Sequence, residues 1–257
     1  GKYPGGAGLG GAYLSDMRIY KGIAKYTSNF EVPSQVDNQN LSGTSNNAFV
    51  GGASWQTTVS KYYGGAARFL ANSTSPVATS GDKITVDGSN GDFTFGTGDF
   101  SVEFWYMADP SEPNISYNAL IGNIAGSAAG YWRIGSNYNN TNILWFTYTS
   151  GSYNDVNSSV AIMDNSWHHI AATRESGTLR LFVDGSIVKT ATVTQDLTQT
   201  TDLNIMYSAQ QPGYASGYMQ DVRIYKGIAK YTSTFEPPKR SVEGTSRRHP
   251  SGIYVIS

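Results

Sequence analysis

Cysteine is absent from the 257 residues, which removes disulfides, thiolate metal sites and cysteine nucleophiles together. Charge is scarce as well: 14% of residues are ionic, 18 basic against 19 acidic, for a formal net charge of −1. No long-range field draws such a chain to nucleic acid or anionic lipid, so neither nucleic-acid binding nor membrane insertion is expected. No apolar run in the sequence approaches the roughly 18–20 residues that span a bilayer. The first residues lack the charged and apolar regions of a signal peptide. They open on Gly1 rather than Met, which suggests that the true start lies upstream or was removed.

What the chain has in quantity is glycine, 29 residues, and tyrosine, 18. With abundant Ser, Thr and Asn this mixture suits short strands and tight turns better than helices. The chain also repeats itself: YLSDMRIYKGIAKYTSNFEVP at 13–33 aligns without gaps on YMQDVRIYKGIAKYTSTFEPP at 218–238. A displacement of 205 residues is far beyond a solenoid period of roughly 20–50 residues and marks a whole domain plus its linker. The expected organisation is residues 1–34 as the end of a preceding unit, a polar linker at 35–54, a complete domain at 55–240 and a polar, basic tail at 241–257. The alternative is that the first copy supplies a strand to a single fold. The terminal Ile253, Tyr254, Val255 and Ile256 form a sticky edge that is expected to pair with a neighbouring domain or subunit.

Inside the complete unit strand signals are dense. FSVEFWYMA places Phe100, Val102, Phe104 and Tyr106 on one face and Ser101, Glu103, Trp105 and Met107 on the other, the alternation of a central strand. TLRLFVDGSIVKTATV reads as a hairpin about Asp184-Gly185, because a type I′ turn needs positive φ at both central residues. A two-residue loop pairs Leu181 with Val188 and Phe182 with Ile187. It also sets Arg180 against Lys189, a repulsion that calls for a nearby carboxylate or a longer loop. Further short strand candidates recur without intervening helical patterns, which predicts an all-β, antiparallel two-sheet jelly-roll sandwich.

The blocks GTGDFSVEFW, WHHIAATR followed by GTLRLFVDG, and the closing DVRIYKGIAKYTSTFEPP resemble, in this order, the laminin-G-like branch of the concanavalin A-like lectin/glucanase superfamily. The closing segment is similar to a variant common in tandem in structural and tail-fibre proteins of bacteriophages. This resemblance implies a curved jelly roll, with residues 1–34 the C-terminal part of a preceding laminin-G-like repeat. It further implies a structural protein on a virion surface, in a fibre or capsid, serving adhesion or decoration. Its partners would be other virion proteins, copies of itself and host-surface polysaccharide; a carbohydrate-binding cell-surface adhesin is the alternative. Within that frame Trp167 packs where its strand begins, and YKGIAKYTSTF folds back as a loop with one short helical turn.

An enzyme is not expected. Glycan hydrolysis needs two carboxylates flanking the scissile bond, which the related glucanases carry as E-x-D-x-x-E or E-x-D-x-E. None of the six glutamates here, at 31, 103, 112, 175, 236 and 243, has an aspartate two residues later. Glu103 is read as paired with a basic neighbour. His168 and His169, adjacent on a strand, point to opposite faces and cannot chelate one metal. No cofactor is required. Calcium, which wants six to eight oxygens, finds candidates in Asp87 and Asp92 of VDGSNGDF, or in Asp155 and Asp164, each of which equally suits a turn. Sugar sites combine aromatic faces with polar loop groups. GSNYNNTN and TSGSYNDVNSS, read as loops, offer Tyr138, Asn139, Asn140, Tyr153, Asn154 and Asp155.

Overall fold

The computed structural model describes residues 47–50, 53–56, 58–61, 66–71, 80–109, 119–126, 129–136, 142–149, 152–209, 213–238 and 253–256. No helix occurs among them. The strands, in chain order, are β1 (Asn47–Val50), β2 (Ser54–Gln56), β3 (Ala66–Phe69), β4 (Lys83–Val86), β5 (Phe100–Met107), β6 (Ala119–Gly122), β7 (Trp132–Ser136), β8 (Asn142–Thr149) and β9 (Ser152–Ala161). They continue with β10 (His168–Glu175), β11 (Thr178–Val183), β12 (Ser186–Thr192), β13 (Leu203–Ile205), β14 (Tyr207–Ser208), β15 (Gly213–Tyr214), β16 (Gly217–Lys226) and β17 (Ile253–Ile256).

They form two large sheets, which we call the first, ordered β1-β4-β13-β6-β7-β8-β9, and the second, ordered β12-β11-β10-β5-β16-β3-β2, plus the small pair β14-β15. Pairing is antiparallel throughout except between β16 and β17. This is the predicted jelly-roll sandwich. Strand β1 falls within the stretch read as linker and pairs with β4.

Alternation dictates the core. On β5, Phe100, Val102, Phe104 and Tyr106 are buried against the first sheet's Trp132, Ile134 and Trp145. Between the sheets Phe95 and Phe100 stack at 4.4 Å, and Trp132 and Trp145 lie nearly parallel at 5.6 Å. The Trp132 indole N–H donates to the Phe93 carbonyl, which satisfies the one polar atom such a ring brings inside. Arg174 is also fully buried. Its guanidinium lies 5.0 Å from the Phe100 ring and donates to the carbonyls of Gly96, Gly98 and Gln195. A buried cation persists only when its donors are used in this way.

Three local expectations are corrected. In the β11–β12 hairpin Phe182 faces Ile187 as predicted, but a bulge places Leu181 opposite Lys189 and Arg180 opposite Thr190. The extra residue removes the like-charge pair, and Arg180 finds Glu175 at 3.2 Å. The terminal Ile253–Ile256 pairs in parallel with Val222–Tyr225 of the same chain, where the shift of β16 away from β3 leaves half an edge open. The segment after β16 folds back, without the expected helical turn.

That segment, residues 227–238, is a strap over the outer face of the second sheet. A second bulge, at Asp221 with φ 56°, makes this possible. Met219 points inward; the extra residue shifts the phase, so that Val222 and Ile224 point inward and Arg223 and Tyr225 outward. The strap is sewn down by Ser101, whose hydroxyl donates to the Ile228 carbonyl and accepts from the Lys230 amide, and by the Thr173 hydroxyl, which donates to the Tyr231 carbonyl. Its far end is held by the Phe235 amide on the Gly185 carbonyl. Gly185 has φ 78°, and a Cβ there would collide with the Phe235 carbonyl oxygen. Gly185→Ala is therefore expected to lower the unfolding free energy by about 1–3 kcal/mol and to loosen residues 227–238, read as a lower denaturation midpoint with faster amide exchange in the strap.

Candidate functional site

Two constellations stand out, one on the outer face of each sheet. Under the strap lies Glu103, 1% exposed. Lys230 Nζ is 2.8 Å from its Oε1 and Arg223 Nη1 is 3.9 Å away. The Tyr231 hydroxyl donates to its Oε2 at 2.7 Å, and His169 Nε2 donates to the same oxygen at 3.2 Å. Arg223 is itself fixed by a two-pronged contact with Asp221, at 2.9 and 2.7 Å. Aromatic rings close the nest: Tyr231 and Phe235 stack at 3.5 Å, and Phe235 meets Phe182 and His169 edge-on at 5.2 and 5.6 Å.

A carboxylate, an imidazole, a phenol and an ammonium within bonding distance have the ingredients of an acid–base centre. Electrostatics decides otherwise for Glu103. Burial by itself would raise its pKa, but the hydrogen bonds from His169, Lys230 and Tyr231, with the charge of Lys230, outweigh it and hold the group at about 2. A general acid needs the opposite shift. Burial and the Glu103 charge together push the Tyr231 phenol up, so it stays a hydrogen-bond donor. The expected basic partner of Glu103 is thus present twice, in Lys230 and Arg223.

On the first sheet one register level runs across the outer face through Thr85, Asn204, Gly122, Arg133, Phe146 and Asp155. Thr85 donates its hydroxyl to Asn204 Oδ1. Arg133, although at an outward register position, is only 2% exposed. Asp155 remains exposed; its partly desolvated carboxyl is pushed up, against the pull of the Arg133 charge. Beyond this level Tyr207 and Tyr214 lie with ring centroids 4.7 Å apart, and Lys83 Nζ sits 4.3 Å from the Tyr207 ring centre. Both tyrosines are half-buried, and Tyr214 packs on Gly81, where a Cβ would fall 2.8 Å from its own Cβ.

The sugar-site residues proposed from sequence divide on this map. Tyr138, Asn139 and Asn140 lie outside the described residues. Tyr153, Asn154 and Asp155 belong to β9, a strand of ten residues, and not to a loop. The turn-forming composition misled, because Val156 and Val160 alternate with polar residues as an outermost strand allows. Alternation also separates neighbours: Asp155 sits at the outward level with Arg133, whereas Asn154 pairs with Thr147 at the inward one. Arg133, Lys83, Tyr207 and Tyr214 were not singled out from sequence. A lone arginine flanked by Trp132 and Ile134 is the only signal that pointed to this face.

The rim acids are absorbed locally. Asp87 accepts the Ser89 amide, which lowers its pKa, and Asp92 accepts the Asn90 side-chain amide. Among the described residues no group of three or more His, Asp or Glu side chains is placed to hold a metal ion. His168 and His169 do face apart. While His169 joins the Glu103 nest, His168 bridges Asp184 at 2.7 Å and Asp164 at 3.0 Å. The Asp184 hydrogen bond, and then that of Asp164, raise the His168 pKa against its partial burial.

The fold is thus a two-sheet jelly roll with a sealed ionic nest on one outer face and, on the other, a polar level of which Asp155 stands exposed. The chain belongs to the concanavalin A-like lectin/glucanases superfamily, whose Laminin_G_3 model matches residues 78–229, more than half its length. No curated protein matches it. Among solved structures it is similar to domain 4 of AbnA, a GH43 extracellular arabinanase from Geobacillus stearothermophilus, in complex with arabinotriose. That match has a TM-score of 0.56 and 15% identity over 70% of this chain and 82% of the other. A structure of botulinum neurotoxin type C, whose cell entry depends on two ganglioside molecules, matches with a TM-score of 0.51 and 15% identity over 71% of this chain. The binding domain of Paraclostridial Mosquitocidal Protein 1 has a TM-score of 0.50 and 16% identity, again over 71%. This chain spans only 43% and 44% of those two toxin chains. At such identities the likeness is one of fold.

Two outcomes follow for the nest and the histidine bridge. Glu103→Ala leaves Lys230 and Arg223 without their carboxylate and is expected to cost about 3–5 kcal/mol in denaturant unfolding. Because the folded pKa of Glu103, about 2, lies below an unfolded value of roughly 4.3, its contribution is full above about pH 5 and drains as pH falls through 4 toward 2. Glu103→Gln should flatten that part of the acid limb. His168 behaves oppositely: its folded pKa is raised, so its contribution is full below about pH 6.5 and is lost as pH rises through the folded value. His168→Asn should remove that slope from a plot of Tm against pH.

Proposed function

We propose that this sandwich is a non-catalytic glycan-binding module of a virion surface, a bacteriophage fibre or capsid component serving adhesion or decoration. The observation that carries the binding half is the outer face of the first sheet. It carries one polar level from Thr85 on β4, partly exposed and near the half-buried Tyr207–Tyr214 pair, to the exposed Asp155 on β9, a span of about five strand spacings that suits several sugar rings of an extended chain. Polar groups on rigid strands next to aromatic surface are what a sugar ring requires, since its hydroxyls are bonded edge-on and its apolar face is covered by a π-system. Fold neighbours described with arabinotriose and with gangliosides support the ligand class by analogy and suit an extracellular or surface setting. The absence of catalysis is supported by Glu103, an ionised carboxylate locked beneath a strap.

The virion setting rests on the tandem closing segment. Repeated weak sugar sites gain avidity when displayed in many copies, which suits a particle surface. Partners are then other virion proteins, further copies of the chain and a host-surface polysaccharide.

The full chain should bind at least one member of a panel of bacterial surface polysaccharides saturably in calorimetry. Asp155→Ala should weaken that binding about 10-fold or more, the value of one charge-assisted hydrogen bond, with unchanged Tm. Running the titration with and without a chelator reports whether calcium takes part. A folded chain that binds no glycan at any concentration defeats the binding reading. Absence of the chain from purified particles, by immunogold labelling, defeats the virion one.

A further inference from the structure

At the β4 end of the first sheet's outer face a backbone irregularity builds a cluster of donors. Lys83 shares the outward phase of β4 with Thr85, since Ile84 and Val86 are buried. Continued in register, β13 would set Met206 against Lys83 at that outward level. Instead Met206 has φ 61° and is wholly buried, and it is Tyr207 that meets Lys83. A non-glycine residue in the left-handed region carries a backbone cost and persists only where its surroundings impose it. Here the Met206 amide donates to the Leu120 carbonyl and its own carbonyl accepts the Ala215 amide. What the strained residue delivers is an aromatic pair beside a cation: Tyr207 faces Tyr214 across β14–β15, and the Lys83 ammonium lies 4.3 Å from the Tyr207 ring centre.

Among the described residues the Lys83 ammonium pairs with no carboxylate, and neither tyrosine hydroxyl has a hydrogen-bond partner. The neighbouring Asp82 is 3% exposed and accepts the Leu70 amide. Asp87 lies about 13 Å along the strand at the usual β rise; it and Asp202 accept the Ser89 and Gly88 amides. Burial, and then the Tyr207 phenol beside it, raise the Tyr214 pKa, so its hydroxyl stays a donor. One ammonium and two phenols thus share a patch that contains no anion. We propose that this patch is the subsite for an acidic sugar, a hexuronic acid whose ring carboxylate pairs with Lys83 while the two tyrosine hydroxyls bond its oxygens. The inference rests on the glycan-binding reading of the same face and names the class of glycan. A single ammonium matches a monoanion, and a carboxylate joined directly to the sugar ring arrives together with the ring's apolar face, which suits an ammonium lying against an aromatic surface. A phosphate would call instead for a guanidinium or a row of backbone amides. Asp155, about 24 Å away over five strand spacings, lies beyond the roughly 8 Å over which exposed charges act in physiological salt, and does not repel this group.

The test uses the full chain and a panel of uronic-acid-containing capsular polysaccharides, each in its native form and after carbodiimide–borohydride reduction, which turns every uronic acid into its neutral sugar. Calorimetry should find at least one native member that binds about 10-fold or more tighter than its reduced form, the effect of one charge-assisted hydrogen bond. Lys83→Met should remove that preference, Lys83→Arg should restore part of it, and Tyr207→Phe should weaken the native form alone, all at unchanged Tm. A merely structural ammonium–ring contact would move Tm and leave the preference untouched. Equal or tighter binding of the reduced forms, or a preference indifferent to Lys83→Met, overturns the acidic subsite while glycan binding stands. Dextran sulfate bound as tightly as the native polysaccharide, and lost on Lys83→Met, marks a site for any anion and overturns the uronic acid assignment. A folded chain that binds neither form of any member defeats the glycan-binding reading, and the subsite falls with it.

Discussion

The carboxylate of Glu103 is the constraint around which the second sheet is organised. A glutamate at the outward centre of a β-strand is ordinary while water covers it. Here the strap excludes water, and an ion in an apolar layer must be matched or expelled. The match comes from four side chains on two segments, His169 from β10 and Arg223, Lys230 and Tyr231 from β16 and the strap. Removing the strap strands the charge, and removing the charge strands the strap's cations. The two are stable together and neither is stable alone, which makes the last part of the domain cooperative with its middle.

That interdependence separates a structural use of acid–base residues from a catalytic one. The same four side-chain types in an open cleft, with a raised carboxyl pKa, would invite an acid–base reading. Burial, saturation of both carboxylate oxygens and a pKa pulled down to about 2 describe a fastening. The proposed glycan binding falls instead to the first sheet, whose outer level leaves Asp155 in water at one end and two half-buried tyrosines near the other. The two sheets divide the work, one anchoring the chain's own closing segment and the other facing outward.

Much of this was legible in the sequence because period-two alternation leaves a clear trace. The inward faces of β5 and β11, the Asp184-Gly185 turn and the antiparallel two-sheet class could all be read from the order of apolar residues. Bulges were not legible. Those at Val188 and Asp221 each reverse the face of everything that follows, and one inserted residue changes no composition and breaks no apolar pattern long enough to notice. The candidate sugar site suffered from a related ambiguity. Asn, Ser, Tyr and Asp serve an edge strand as readily as a loop, so β9 passed for a turn-rich segment. Lys83 and the Tyr207–Tyr214 pair come together only through the pairing of β4 with β13, which joins residues distant in sequence.

The position of the strap at the exit of the domain has a mechanical meaning. Tension applied at residue 238 enters the sandwich through the strap that follows β16. The strap is in series with that path, whereas β16 lies between β5 and β3 and can be drawn out only by shearing several backbone bonds at once. Peeling a strap opens its contacts one after another, from Phe235 back toward Lys230, and needs far less force than shear. The strap is therefore a short extensible length that yields before any strand of the sandwich, breaking the Glu103 ion pairs, and that can close again when the cations find their carboxylate.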